Sequence, residues 1–489
     1  MSGERLLVPE VWAGKIYSNG WKSAEGGTAD VVEKATGKPL GTIGIASAEE
    51  VSAAAEAAHA AQKAWGARTG PARGDVLREL SRLVLVHADE LAEQIIRETG
   101  SIHAKARWEV HVVAREILEA AALGSQPRGM VAATAEEGRH SVARRMPLGV
   151  IGIITPWNSP FILGARAIGP ALAMGNAVVL KPDVQAGIIG GIAFARLLEK
   201  AGLPDGLLHV LPGGPETGAA LVEEPLVDMI SFTGSTRVGR QIGSIAGEQL
   251  KRVSLELGGN NPYVVFDDAD IEAAASAGAW GSFFHQGQIC LTAGRHLVHE
   301  NIAEAYGAAL VRKAKALKLG NPMEPAVQIG PIINERQAAN VERIVRETLS
   351  QGATLLAGGG RSGLFFEPTV LTGVEPGMPA FDEEIFGPVA PITTFRTEAE
   401  AIALANRSEY GLVAAVVSRD IARAQRIADA LHSGVVHIND QTVLHEVYGP
   451  IGGVGASGNG FSHSTLTNAD QFSEWQWVTT RTEVPAYPF

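Results

Sequence analysis

At 489 residues the chain exceeds one ordinary hydrophobic core, so two or more domains are expected. A formal charge of −12 without a basic run argues against nucleic acid and anionic membranes as partners. The single cysteine excludes an internal disulfide and a cysteine-rich zinc or iron–sulfur site, so no metal is expected and a reducing cytoplasm suits it.

The first ten residues have no apolar leader segment, and no run of about 18 apolar residues is present to span a bilayer. Residues 11–47 read as a β-rich start punctuated by Gly37, Pro39, Gly41 and Gly44. Ser47 caps a first helix reaching about Trp65, with Glu49 and Glu50 in its opening turn. A second helix begins after Pro71 and ends near Gly100, and a third spans 104–122. Residues 124–147 read as a β-hairpin outside the main sheet, an edge suited to subunit pairing.

From Leu148 strands and helices alternate: strands at 149–154, 177–182, 207–211 and 229–233, helices at 165–174 and 187–199. Their unbroken apolar runs are those of a parallel sheet covered on both faces. After Glu256 a second α/β block follows, with a strand at 263–266, a helix at 271–282, a strand at 296–298 and further units up to 435–439. A glycine-rich loop fills 449–460, and residues 472–480 alternate like an edge strand. The fold class is α/β.

Cys290 follows Phe283-Phe284-His285-Gln286-Gly287-Gln288-Ile289 and leads into a strand. Upstream, Glu256 sits between leucines ahead of Gly258-Gly259. A thiol nucleophile needs such a proton acceptor, because the thiolate is the reactive form; a buried cysteine that packs as a small hydrophobe is the plainer alternative. Asn158, between Pro156 and Pro160 at a strand's carboxyl end, is either an oxyanion donor or part of a rigid turn. Gly234 and Ser235, where a strand passes into a helix, suit a phosphate or merely a tight turn. Lys181 ends another strand, and 383–389 is a capped loop when read alone.

Together these segments resemble the aldehyde dehydrogenase superfamily over nearly the whole chain: Pro156-Trp157-Asn158, Lys181-Pro182, Phe232-Thr233-Gly234-Ser235, Glu256-Leu257-Gly258-Gly259, Gln286 to Cys290, Glu384-Ile385-Phe386-Gly387-Pro388, Gly452-Gly453-Val454 and Ser457-Gly458. The resemblance implies NAD(P)-dependent oxidation of an aldehyde to the acid through a cysteine thiohemiacetal and thioester. It makes Cys290 the nucleophile, Asn158 the oxyanion donor together with the Cys290 N–H, and Glu256 the general base. It places Lys181 at the adenine ribose, Ser235 and Trp157 at the phosphate and adenosine region, and Glu384 and Phe386 at the nicotinamide. Ile154, Thr155, Gly214, Gly234 and Leu257 join the cofactor site on the same ground. Two Rossmann-like parallel-sheet domains are implied, one binding NAD(P) (1–123 and 148–257) and one catalytic (258–448). A small β oligomerisation element (124–147 and 470–489) would build a homodimer or homotetramer.

Two departures from the family pattern stand out. Val184 occupies the position where many NAD-preferring members carry a ribose-binding glutamate, which leaves both NAD and NADP open as cofactors. Ile451 and Phe461-Ser462-His463 replace the usual residues near the pocket rim. Lys181-Pro182-Asp183, Asn260-Asn261-Pro262 and 439–443 look most similar to the benzaldehyde and vanillin dehydrogenase branch, so an aromatic aldehyde is the expected substrate. Phe161, Phe284 and Ile289, with Phe283, are candidate pocket walls. Aliphatic aldehydes or semialdehydes are the alternative substrates. A CoA-acylating enzyme is a lesser alternative, since it would not require Glu256. A catalytically dead member of the fold would have lost nucleophile, base or oxyanion donor, and oxidation sensing by Cys290 would be secondary.

Overall fold

The computed structural model describes residues 5–489; the first four residues of the segment read for a leader lie outside them. Among the described residues no helix is long and apolar enough to cross a membrane. Two seven-stranded sheets form the body. The first runs Arg252–Glu256, Met229–Thr233, Val150–Thr155, Ala177–Pro182, Leu208–Val210, Lys15–Ser18, Trp21–Ser23, all in one direction except Lys15–Ser18. The second runs Thr354–Ala357, Thr369–Thr372, Val389–Phe395, Ala293–His299, Asn261–Val265, Val413–Val417, Val435–Ile438, with only the first strand antiparallel. Every residue of Val150–Thr155 and of Asn261–Val265 is buried, as unbroken apolar strands between two helical layers must be.

A third sheet stands apart. Ser473–Thr480 pairs antiparallel with His140–Pro147, which pairs with Gly129–Val131. The hairpin and tail expected from the sequence thus meet, although more than 300 residues separate them in the chain.

Three helices differ from expectation. Ser47 and Glu50 form a reciprocal capping box as expected, but the second helix splits into Gly70–Val86 and Ala88–Thr99. His87, at φ −99° and ψ 19°, serves as the end of one and the start of the other. The third helix, His103–Leu123, matches its expected span within a residue at either end. The 165–174 helix starts earlier, at Pro160, because proline is preorganised for a first turn and its missing N–H has no partner there to lose. The 187–199 helix is composite, a 3₁₀ turn Val184–Ala186, a π turn Ile188–Ile192 and the α-helix Ala193–Lys200. The buried Glu98 carboxylate accepts the N–H groups of Ile188 (3.2 Å) and Ile189 (2.9 Å) at the π turn.

Candidate active site

Helix Ile271–Phe283 delivers the chain to the Cys290 loop. His285 and Gln286 there take left-handed backbone angles (φ 51° and 57°), costly for side chains bearing a Cβ. Side-chain bonds hold them in place. Gln286 Nε2 donates to the carbonyls of Gly100 (2.7 Å) and Pro331 (2.9 Å), and Gln288 Oε1 accepts from the Ile333 N–H (3.0 Å). Gly287 sits at φ +66°, where a Cβ would meet the Gly387 carbonyl at 2.2 Å, so only glycine fits. The Cys290 carbonyl accepts from Asn261 Nδ2 at 2.7 Å.

Asn158 lies against this loop, its Nδ2 donating to the Gln288 carbonyl at 3.0 Å. Its own carbonyl accepts from His285 Nε2 (2.7 Å) and from the Lys105 ammonium (3.2 Å). Lys105 is ion-paired with Glu109, both fully buried on helix His103–Leu123. Glu109 Oε1 in turn accepts the N–H groups of Phe161 (3.1 Å) and Ile162 (3.2 Å) at the start of helix Pro160–Ala173. Burial holds His285 well below the usual histidine range, so it is neutral, with Nδ1 turned to the Ser101 hydroxyl at 3.2 Å. None of Lys105, Glu109 and His285 was singled out from the sequence. A lysine and a glutamate four apart on a helix read as a surface pair; the only hint is the apolar company on that face.

Glu256 ends its strand, buried. Its Oε1 has no hydrogen-bond partner, and its Oε2 lies 3.8 Å from Arg166 Nη2. Burial raises its pKa to about 7 against the pull of Arg166. Burial likewise pushes the Cys290 thiol up to about 12; Arg166 lowers it, while Glu384 and Glu256 raise it. Glu384, lifted by burial to about 7, accepts the Gly259 N–H at 2.9 Å. A Cβ on Gly258 would meet its Oε2 at 2.5 Å, so the glycine pair lets the carboxylate approach the backbone.

The other cofactor candidates gather at the carboxyl edge of the first sheet, where open α/β sheets bind nucleotides. Ile154 and Thr155 end one strand and Lys181 lies near the end of its neighbour. Gly214 caps helix Pro215–Glu223, and Gly234-Ser235 lead into helix Thr236–Glu248 with the Ser235 side chain exposed and making no cap bond. The Thr155 hydroxyl is buried without a partner. Burial lowers the Lys181 pKa, and a Cβ on Gly218 would come into contact with Lys181 Cδ at 4.0 Å and with nothing nearer. An orphaned hydroxyl, a desolvated cation and two helix starts fit a dinucleotide. Trp157 and Phe386 face each other edge-on, with ring centroids 5.5 Å apart. Leu257 is buried, its N–H donating to the Ser457 carbonyl at 2.9 Å. Val184, in the short 3₁₀ turn, packs against the first core and brings no charge toward Lys181.

A cavity of about 540 Å³ opens beside the cysteine loop, lined among others by Trp108, Trp280, Phe284, Val443 and His445. Phe284 stacks on Trp280 (4.2 Å, 14°) and meets Trp108 edge-on at 6.5 Å. His445 Nε2 lies 2.9 Å from Glu116 Oε1. Of the candidate walls only Phe284 lines this cavity. Phe161 and Phe283 are core residues instead: Phe161 is fully buried and packs on Phe194 at 4.9 Å, and Phe283 is 1% exposed. Ile289 is buried in one cluster with Val443 and Phe284 and lines a small cleft with Glu384 and Phe386, not the large cavity itself. Alternation along a helix start or a loop does not reveal which side faces the hole, so the sequence could not separate these phenylalanines. Trp108 and His445 were missed because segments more than 300 residues apart bring them together.

The aldehyde dehydrogenase family model matches residues 21–478. A vanillin dehydrogenase from Amycolatopsis is 50% identical over 99% of this chain and 100% of its own length. A benzaldehyde dehydrogenase [NAD(+)] from Pseudomonas putida is 45% identical over 98% of each. The crystal structure of an NADP-dependent enzyme from Escherichia coli superposes with a TM-score of 0.93 at 36% identity, covering 96% of this chain and 99% of that one. The chain belongs to the aldehyde dehydrogenase family and is an aldehyde oxidoreductase working with NAD or NADP.

Proposed function

We propose that this site oxidises an aromatic aldehyde of the benzaldehyde and vanillin class to its carboxylic acid, with Cys290, Glu256 and Asn158 as the reacting groups. The observation that carries it is the apolar cavity walled by Trp108, Trp280 and Phe284, whose lining residues Phe284 and Val443 pack in one cluster with Cys290. The named activities of the Amycolatopsis and Pseudomonas relatives support the same substrate class.

A thiol held at about 12 is protonated at neutral pH, so its proton leaves as sulfur bonds to the aldehyde carbon. Glu256, whose Oε1 has no hydrogen-bond partner and whose charge is felt at Cys290, is the acceptor. The new oxyanion takes hydrogen bonds from the Asn158 amide and the Cys290 N–H, and His285 and Lys105 fix Asn158 through its carbonyl. The bound nicotinamide supplies the hydride acceptor. Ile154, Thr155, Trp157, Lys181, Gly214, Gly234, Ser235 and Leu257 would hold the dinucleotide, with Glu384 and Phe386 toward the nicotinamide. Cys290 is then acylated as a thioester. Glu256, having passed the thiol's proton to solvent, removes a proton from water, which adds to the thioester carbon and releases the acid, and that proton returns to the leaving sulfur.

The first sheet with its helices (1–123 and 148–257) serves as the cofactor unit and 258–448 as the catalytic unit. The 124–147 hairpin with 470–489 forms an oligomerisation arm, exposing Trp475, Trp477, Met130 and Val131 on a sheet that has no second layer. A homodimer or homotetramer in the cytoplasm completes the reading.

The test is reduced-nicotinamide absorbance with benzaldehyde, vanillin, acetaldehyde and succinate semialdehyde, each with NAD and NADP. A higher kcat/KM for the aromatic pair is expected; preference for either aliphatic substrate overturns the substrate class. Acceleration by free CoA would favour the acylating alternative.

A further inference from the structure

We propose that Arg166 is a positioning residue of the reaction, the cation that keeps the Glu256 carboxylate ionised while leaving its oxygens free for water. Helix Pro160–Ala173 is buried at every position, and Arg166 is its only charged residue. A guanidinium at such a place is costly unless paired. Its Nη2 donates to Thr233 Oγ1 at 3.0 Å and lies 3.8 Å from Glu256 Oε2. Thr233 and Glu256 are register partners at the ends of adjacent parallel strands, so one side chain spans both.

The geometry separates charge from hydrogen bonding. At 3.8 Å the guanidinium is too far for a charge-assisted bond, which would be about 2.7–2.9 Å. A bidentate clamp would have occupied the lone pairs that a base needs; here Oε1 has no partner at all. The electrostatic attraction survives at that distance in a dry site. Arg166 also acts on Cys290, opposing the two carboxylates Glu256 and Glu384 that disfavour its thiolate. The remaining titratable neighbour, His463, is kept neutral by burial and by Arg166 itself, so it supplies no competing positive charge.

The inference rests on Glu256 being the base. The experiment compares the pH dependence of kcat for the full-length enzyme, Arg166→Lys and Arg166→Met, with Glu256→Gln alongside and saturating cofactor. Arg166→Met is expected to move the acidic midpoint up by about one pH unit or more, which is tenfold in the ionisation constant. Its burst of reduced nicotinamide should persist, and Arg166→Lys should return the midpoint most of the way. Iodoacetamide, which meets one cysteine per chain, should inactivate Arg166→Met more slowly at neutral pH. An evenly lowered kcat at the parental midpoint in Arg166→Met overturns the inference. Should Arg166→Met fail to fold, an Arg166→Lys midpoint that moves up supports it and an unmoved one overturns it. Continued turnover by Glu256→Gln would instead sink the base assignment itself.

Discussion

Glu256 needs a dry pocket to act as a base near neutrality, and the same dryness penalises its charge. Because the base works deprotonated, kcat rises with pH through about 7, where burial places this carboxyl. Glu256→Gln should slow the burst of reduced nicotinamide, because the thiol loses its proton acceptor, and lower steady turnover about 10²–10⁴-fold; stopped-flow absorbance reads both phases. Val184→Glu tests the cofactor side. A carboxylate three residues from Lys181 accepts a ribose hydroxyl and repels a 2′-phosphate. The ratio of kcat/KM for NADP to that for NAD should fall at least about tenfold, or 1.4 kcal/mol, and an unchanged ratio would remove Val184 from the account.

Among elements, the buried Lys105–Glu109 pair ties helix His103–Leu123 to the start of helix Pro160–Ala173 and to Asn158. Glu109→Ala strands an ammonium in the core and frees two helix N–H groups, a loss of about 3–5 kcal/mol. Chemical denaturation should show a lowered midpoint, and an unchanged one would mean the pair contributes nothing. This is where the sequence was least legible. The Pro156–Pro160 turn, the glycine pair after Glu256 and the Cys290 loop announce themselves because their chemistry is local. Lys105, Arg166 and Trp108 sit in ordinary helices and gain their roles from partners many residues away. The two sheets were readable from apolar runs. The break at His87 and the π turn at Ile188–Ile192 were not, since both sit inside continuous helical patterns and the π turn's stated partner is Glu98, from another helix.

At the scale of the whole molecule, the buried Glu98 and Glu256 and the half-buried Glu384 have acid constants raised to about 7. A folded-state value above the unfolded one favours folding when the group is protonated, so that contribution is full below about 4.3 and is lost as pH rises through about 7. Glu256→Gln should therefore melt higher than the parent at pH 8, by ~1–3 °C, with the gap closing toward pH 5; a lower melting temperature at pH 8 would contradict this. The exposed Trp477, 69% accessible on the arm sheet, gives a further test. Trp477→Glu should reduce the oligomer size in sedimentation velocity, and an unchanged size would remove this face from the interface.

Gln286 is one of several side chains that join the two cores. Its amide reaches Gly100, at the end of a helix packed on the first core, and Pro331, beside a residue of the second. Separating Gly100 from Pro331 would break one of these two bonds and shift the loop that carries Cys290. One amide thus couples the position of the Cys290 loop to the way the two cores fit together.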